Sequence, residues 1–172
     1  FAKVFARTQE RREKFAAEMA RNLGITVSAV KSAEECVTDA HVLILITSAN
    51  RPVLDGQWLG PGTHINAAGA NHWMRRELDD DTIRRCAVVV ADDVDQAKIE
   101  CGDLLYAIER GVMRWDNVHN LSEVIAGRAP ARASDTEISL FESQGLALED
   151  IAIGKRVYEL AMEKGIGEKL QF

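Results

Sequence analysis

Short apolar segments alternate with helix-like segments through residues 1–111 of this 172-residue chain, and this alternation constrains its fold more than any other feature. HVLILIT (41–47) is almost wholly apolar, which is typical of a strand buried on both faces of a parallel sheet. Strands that alternate with helices at this spacing form βαβ units with right-handed crossovers. The pattern therefore predicts an α/β fold with a doubly wound parallel sheet of Rossmann type. The predicted strands are KVFAR (3–7), ITVSAV (25–30), HVLILIT (41–47), THINAAG (63–69) and CAVVVADD (86–93).

Capping residues mark the helical segments between these strands. Thr8 precedes QERREKFAAEMARNLG as a candidate N-cap, and Ser32 precedes AEECVTD in the same way. The charge-dense RRELDDDTIRR predicts a solvated helix with a start signal at 79–81. DQAKIECGDLLYAIERG predicts one helix that ends at Gly111.

The alternation weakens after Gly111, which predicts a domain boundary between residues 1–111 and 112–172. ISLFES (138–143) alternates like an exposed edge strand, and 147–165 has the pattern of a long amphipathic helix.

The glycine-rich turn of a dinucleotide-binding domain is not found in this sequence. Such a domain opens with a strand, a G-x-G-x-x-G turn and a helix that holds the pyrophosphate. We therefore expect the first strand, which lies at the centre of the sheet, to be missing from this chain. Each backbone hydrogen bond left unmade on a buried edge costs about 1–3 kcal/mol, against a typical total stability of about 5–15 kcal/mol. The isolated chain is therefore predicted not to be a stable, functional unit.

Composition excludes several classes of partner. Apolar residues make up 47% and charged residues 28% of the chain, as in an ordinary globular protein. The net charge of −6 without a basic stripe argues against nucleic acid, and no apolar run approaches the ~20 residues of a membrane span. The three scattered cysteines predict reduced thiols in the cytoplasm, with a redox role as the alternative. The spacing of histidines and cysteines predicts no metal site.

Arg7 ends the predicted strand at 3–7 and Thr8 follows it, at the place where such folds hold the adenosine ribose of the cofactor. No acid is present there to accept the 2′-hydroxyl of NAD. A guanidinium and a hydroxyl suit the 2′-phosphate of NADP, because arginine pairs with phosphate in a bidentate manner. The alternative is a helix cap followed by a solvated basic face, and the residues alone leave both interpretations open.

Two further turns follow predicted strands, where α/β sheets bind their ligands. Thr47, Ser48 and Ala49 are small enough for close approach of a cofactor, although an ordinary turn is the alternative. The run of small residues that leads to Asn71 leaves room for a flat ring such as nicotinamide. Asn71 could hydrogen-bond the substrate or the ring, but an amide is a poor proton shuttle. His72 has a suitable pKa range for acid–base work, whereas the alternative is a structural loop histidine.

Several of these segments together resemble the ornithine cyclodeaminase/mu-crystallin family. PGTHINAAGAN combined with LFESQGLALED carries most of the specificity, and VFART-QERREKF and EVIAGRAPARASDTEISLFESQ extend the resemblance over essentially the whole chain. The resemblance implies a two-domain homodimer, with roughly half of the protein absent from this chain. It further implies that the edge strand and last helix of 112–172 return to a substrate and dimerisation domain.

The resemblance assigns roles to individual residues. Asn71 stands where ornithine cyclodeaminases carry a catalytic aspartate, which makes the conversion of ornithine to proline doubtful. The resemblance places Arg7 and Thr8 beside adenosine in members that use NADP. The remaining cofactor-side positions are Thr47, Ser48 and Ala49 beside the dinucleotide, and Ala68 and Ser143 beside the nicotinamide.

These observations predict an NAD(P)-dependent oxidoreductase, with NADP preferred over NAD, that acts on a small amino acid or its imino or keto form. Ketimine reductase and amino-acid dehydrogenase are the favoured activities. The alternatives are an ornithine cyclodeaminase that releases ammonia, and a non-catalytic protein that binds NADP.

Overall fold

The computed structural model describes residues 1–168 and 170, which form nine strands and seven α-helices. The strands are β1 (Ala2–Val4), β2 (Val27–Ala29), β3 (Val42–Leu45), β4 (Asn50–Leu54), β5 (His64–Ala67), β6 (Arg76–Leu78), β7 (Cys86–Ala91), β8 (Val118–Asn120) and β9 (Ile138–Glu142). The helices are α1 (Gln9–Leu23), α2 (Ala33–Val37), α3 (Asp80–Arg85), α4 (Val94–Glu100), α5 (Gly102–Glu109), α6 (Leu121–Ile125) and α7 (Ala147–Lys164).

All strand pairs are parallel, as the alternating sequence pattern predicts, and the α/β fold class is confirmed. The main sheet has five strands in the order β3-β5-β9-β7-β8. Two smaller pairs, β1-β2 and β4-β6, form separate sheets. Among the described residues, β1 and β3 share no backbone hydrogen bond.

The prediction that 138–143 forms an exposed edge strand is wrong. β9 lies between β5 and β7 in the main sheet, and four of its five residues are buried. The pattern gave a wrong prediction because a polar side chain of β9 has its hydrogen-bond partner inside the protein: the Ser139 hydroxyl lies 2.8 Å from the His64 Nδ1 atom. β8 and β9 lie beyond residue 111 and belong to the same five-stranded sheet as β3, β5 and β7.

The prediction that 41–47 is buried on both faces is also wrong for this chain. Leu43 is buried, whereas Val42 and Ile44 expose 58% and 74% of their surface. In the part of the chain that the structure describes, nothing packs on this second face of β3. α7 is similarly uncovered: Leu160 and Ala161 are half-buried and the other residues of the helix are exposed.

The single helix predicted before Gly111 is two helices, α4 and α5, with an extended residue, Cys101, between them. The break allows Gly102 to approach the loop that follows β5, where the Gly102 N–H donates to the Ala70 carbonyl at 3.2 Å. A Cβ atom at Gly102 would lie 1.9 Å from the Arg75 carbonyl oxygen. Close approach of two backbones therefore decides where the helix breaks.

Two of the predicted helix N-caps make side-chain hydrogen bonds to the backbone of the first turn. The Ser32 hydroxyl accepts from the Glu35 N–H and caps α2, while an Asp79 carboxyl oxygen accepts from the Thr82 N–H and caps α3. Thr8 occupies the N-cap position of α1, but its side chain makes no capping bond within the described residues. None of the described helices is long and apolar enough to cross a membrane.

Candidate functional site

The carboxyl ends of β3, β5 and β9 lie side by side, which brings several predicted site residues to one edge of the sheet. Ala68 N–H donates to the Leu45 carbonyl at 2.9 Å, and Ser143 N–H donates to the Ala67 carbonyl at 2.9 Å. The turns that begin at Thr47, Ala68 and Ser143 therefore leave the sheet next to one another. In open α/β sheets this edge is where ligands bind.

Arg7 and Thr8 lie at the end of β1, outside the main sheet, and both are exposed. Among the described residues, no hydrogen bond joins their side chains to the turns after β3 and β5. The structure thus brings together the predicted positions at Thr47, Ser48, Ala49, Ala68 and Ser143, and leaves the two adenosine-side positions on a separate strand pair.

An open depression of about 400 Å³ lies beside the turn after β3, and Ser48, Asn50, His72, Met74 and Arg75 line it. Small residues surround the same edge, and a Cβ atom at Gly69 would lie 2.2 Å from the Thr47 carbonyl oxygen. The turns after β3 and β5 therefore approach each other closely at this edge.

Asn71 flanks this depression with an exposed side chain. Its Oδ1 atom accepts a hydrogen bond of 3.0 Å from the Arg75 Nη1 atom, and its amide NH₂ group donates to no other group among residues 1–168 and 170. The neighbouring His72 stacks on Trp73, with ring centroids 5.8 Å apart, and its Nδ1 atom accepts from the Met74 N–H. These contacts favour the structural interpretation of His72.

Glu77 is the principal residue that the sequence analysis missed. It is fully buried, and its carboxyl group accepts from the Thr47 N–H at 2.5 Å and from the Gly69 N–H at 2.8 Å. Its surroundings in RRELDDDTIRR predicted a solvated helix, which is wrong for 76–78: these residues are the buried strand β6, and the helix starts only at Asp80. A buried acid in a charge-dense run has no signal in a single sequence.

Two other fully buried acids, Asp103 and Glu142, lie beneath the same edge. Asp103 accepts hydrogen bonds from the backbone N–H groups of Glu77 and Leu78, each at 2.9 Å. Burial raises the pKa of Asp103 to about 7, although the two backbone donors oppose this shift. Burial, and next the nearby Asp103, raises the pKa of Glu142 well above its usual value. Both acids therefore keep their proton to a higher pH than an ordinary carboxyl group does.

The Glu142 carboxyl group accepts from the Cys101 thiol at 3.5 Å, and its Oε1 atom has no hydrogen-bond partner among residues 1–168 and 170. Burial is also the first cause that raises the pKa of the Cys101 and Cys86 thiols, the latter to about 12. Thiols held in the protonated form are poor nucleophiles, which favours the structural interpretation of these cysteines.

Ser143 is held beside the edge by Asp92. The Ser143 hydroxyl donates to Asp92 Oδ2 at 3.4 Å, and the same oxygen accepts from the N–H groups of Gln144 and Gly145, each at 2.7 Å. Asp92 follows the neighbouring strand β7 and fixes the turn after β9 through these bonds. Sequence reasoning found Ser143 but not the acid that orients it.

Comparison with known proteins agrees with this architecture. The family model described as "Ornithine cyclodeaminase/mu-crystallin family" matches residues 2–165. Alanine dehydrogenase of Archaeoglobus fulgidus is 39% identical over 153 residues, which is 88% of this chain and 46% of that protein. Ketimine reductase mu-crystallin of Mus musculus is 40% identical over 157 residues, which is 91% of this chain and 46% of the mouse protein.

A solved structure shows the same fold. The Delta(1)-pyrroline-2-carboxylate reductase of Thermococcus litoralis, in complex with NADH and L-proline, superposes with a TM-score of 0.93 at 37% identity, covering 98% of this chain and 52% of that one. The chain spans about half the length of the relatives it matches. The match over residues 2–165 includes the edge of the sheet described above, and the chain belongs to the ornithine cyclodeaminase/mu-crystallin family.

Proposed function

We propose that the whole protein is an NAD(P)-dependent oxidoreductase that interconverts a small amino acid and its imino or keto form. The observation that carries this proposal is the adjacency of the turns after β3, β5 and β9. The Ala68 N–H group bonds to the end of β3 and the Ser143 N–H group bonds to the end of β5, each at 2.9 Å. Relatives named as alanine dehydrogenase, ketimine reductase and pyrroline-carboxylate reductase support the reaction class. A bound nicotinamide cofactor would supply the hydride.

The residues of this chain would bind and orient rather than exchange protons. Ala68 and Ser143 would flank the nicotinamide ring, and Thr47, Ser48 and Ala49 would border the dinucleotide. Asn71 would donate its NH₂ group toward the substrate, since Arg75 already occupies its carbonyl oxygen. An amide at this position supports hydride transfer over cyclodeamination, because it neither takes up nor releases a proton at neutral pH.

The whole protein is expected to oxidise NADPH faster than NADH in the presence of a cyclic ketimine, or of pyruvate with an amine. The measurement is the loss of reduced-nicotinamide absorbance at matched cofactor and substrate concentrations. Equal, background-level rates with both cofactors across these substrates would reject the proposal. Release of proline and ammonia from ornithine would instead identify a cyclodeaminase, and tight NADPH binding without turnover a binding protein.

Arg7 is proposed to set the cofactor preference through the 2′-phosphate of NADP. Arg7→Ala is expected to raise the KM for NADPH by at least about tenfold, since a charged hydrogen bond contributes about 1.5–3 kcal/mol, and to leave the KM for NADH within about twofold. Arg21→Ala is the matched control, because Arg21 is also exposed but lies in the last turn of α1. An equal rise in KM for both cofactors would contradict a role at the 2′-position.

We also propose that α7 packs against another part of the whole protein or its homodimer partner. The helix exposes large apolar side chains over its length, including Ile151 at 68%, Tyr158 at 66% and Met162 at 65%. Apolar surface of this extent is typical of a contact face rather than a solvated helix. This proposal retains a dimerisation role for α7 and leaves β9 in the main sheet.

A further inference from the structure

We propose that Glu77 is a positioning residue that sets the distance between the two turns which border the cofactor. The inference rests on the proposed function and adds to it a residue that never touches the ligand. Glu77 lies on β6, outside the main sheet, yet its side chain reaches the ends of both β3 and β5. Because each of its carboxyl oxygens accepts from a different turn, the group connects the two turns directly.

The connected backbone groups are those that a strand end leaves without a ladder partner. Thr47 and Gly69 each lie two residues beyond the end of their strand, and each donates its N–H to one Glu77 oxygen. Unpaired buried N–H groups cost about 1–3 kcal/mol each, so the carboxyl group stabilises this one arrangement of the two turns. Thr47 itself is exposed, so a buried acid fixes the backbone of a surface turn from below.

The fit around Glu77 is tight on the side of Gly69. A Cβ atom at Gly69 would lie 2.2 Å from the Thr47 carbonyl oxygen and 2.5 Å from the Glu77 side chain. Only glycine fits where the two turns and the carboxyl group meet. The turns therefore have little freedom to move apart or together while the Glu77 bonds persist.

Hydrogen bonds to Asp103 hold the backbone of Glu77 in place. Asp103, at the start of α5, accepts the Glu77 and Leu78 N–H groups, so the backbone of β6 cannot shift without breaking these bonds. A continuous series of hydrogen bonds therefore runs from α5 through β6 to the two turns. Positioning of this kind keeps the two turns in the geometry that receives the cofactor, so its loss should weaken cofactor binding.

Glutamate is the side chain that this position requires. Glutamine has the same shape, but its NH₂ group would face one of the two N–H donors and could not accept from it. Glu77→Gln should therefore release one turn while keeping the volume of the buried side chain. Glu142→Gln is the matched control, because Glu142 is an equally buried acid that bonds to Cys101 and to neither turn.

The test is made on the whole protein with two readouts. In the cofactor-free state, the Thr47 and Gly69 amides of the wild type should exchange hydrogen slowly, and Glu77→Gln should speed exchange at one or both at least tenfold without changing the Ile65 and Leu140 amides. With NADPH, Glu77→Gln should raise the KM and the dissociation constant of the cofactor at least fivefold. Its kcat at saturating NADPH should stay within threefold, and Glu142→Gln should change none of these values.

Several outcomes would overturn the proposal. Fast exchange at Thr47 and Gly69 in the wild type would show that the bonds do not hold the turns, and this measurement needs no variant to fold. Equal effects of Glu77→Gln and Glu142→Gln on the KM for NADPH would show that Glu77 has only a general structural role. Failure to bind either cofactor overturns both this inference and the proposed function, whereas cofactor binding without turnover rejects the proposed function alone.

Discussion

Gly102→Ala is expected to destabilise the protein by about 3 kcal/mol or more, at the upper end of the range for overpacking a closely packed site. The added Cβ atom would lie 1.9 Å from the Arg75 carbonyl oxygen and 2.9 Å from the His72 carbonyl oxygen. Both are backbone atoms, so no side-chain rotation can relieve the clash. The midpoint of thermal unfolding of the whole protein, whose relatives are about twice as long as this chain, should fall by about 4 °C or more.

Gly60→Ala is the control for this substitution, because a Cβ atom there would meet only the Thr63 hydroxyl at 4.0 Å. It should leave the unfolding midpoint within about 2 °C, as surface substitutions away from special features do. Gly102→Ala should also raise the KM for the imine or keto acid, because it displaces the loop that carries Asn71. An unfolding midpoint equal to that of Gly60→Ala would show that the α4–α5 break does not depend on glycine.

The fold was predictable where a strand is long and apolar. β3, β5 and β7 follow from their apolar runs, and the parallel pairing follows from the helices between them. β4 and β6 were not predicted, since NRPVL contains a proline and REL stands in a charged run. Among the described strands, these two short strands pair only with each other, and that pairing depends on tertiary contacts that no local pattern contains.

The strand β9 shows a second limit of local patterns. Its alternation of apolar and polar residues predicted one solvated face, yet Ser139 and Glu142 are buried. The partners that make this burial possible are His64, on β5, and Cys101, before α5. Because both are distant in sequence, alternation alone could not distinguish a solvated edge from a central strand with internal polar contacts.

The candidate site also contains some residues that sequence patterns indicate and others that they do not. The common location of Thr47, Ala68 and Ser143 was predictable, because the ends of parallel strands meet at one edge of a sheet. The acids that hold those turns, Glu77 and Asp92, were not found, because their role exists only once the turns are assembled. Sequence therefore indicates which turns share an edge of the sheet better than it indicates what keeps those turns in place.

The buried acids beneath the site are expected to make the protein less stable as the pH rises. Burial raises the pKa of Asp103 from 3.8 to about 7, and it raises the pKa of Glu142 in the same direction. Between pH 3.8 and about 7, the folded state therefore binds more protons at Asp103 than the unfolded state does. The contribution of Asp103 to the free energy of unfolding is full below pH 3.8 and is lost as the pH rises through about 7. Each such group contributes a slope of up to about 1.4 kcal/mol per pH unit.

Glu142→Gln should remove one of these slopes, because glutamine imitates the protonated acid and never ionises. Thermal unfolding of the whole protein at pH values from 5 to 8 should show a midpoint for Glu142→Gln equal to that of the wild type at the acid end and higher than it at pH 8. Glu123→Gln provides a control of opposite sign: the exposed Glu123 bonds to Arg128, which lowers its pKa, so its loss should slightly lower the midpoint at neutral pH. If the wild-type midpoint rises from pH 5 to pH 8 in parallel with that of Glu142→Gln, then Glu142 is ionised in the folded protein. The midpoints of the two proteins have different slopes against pH only if Glu142 is neutral in the folded state.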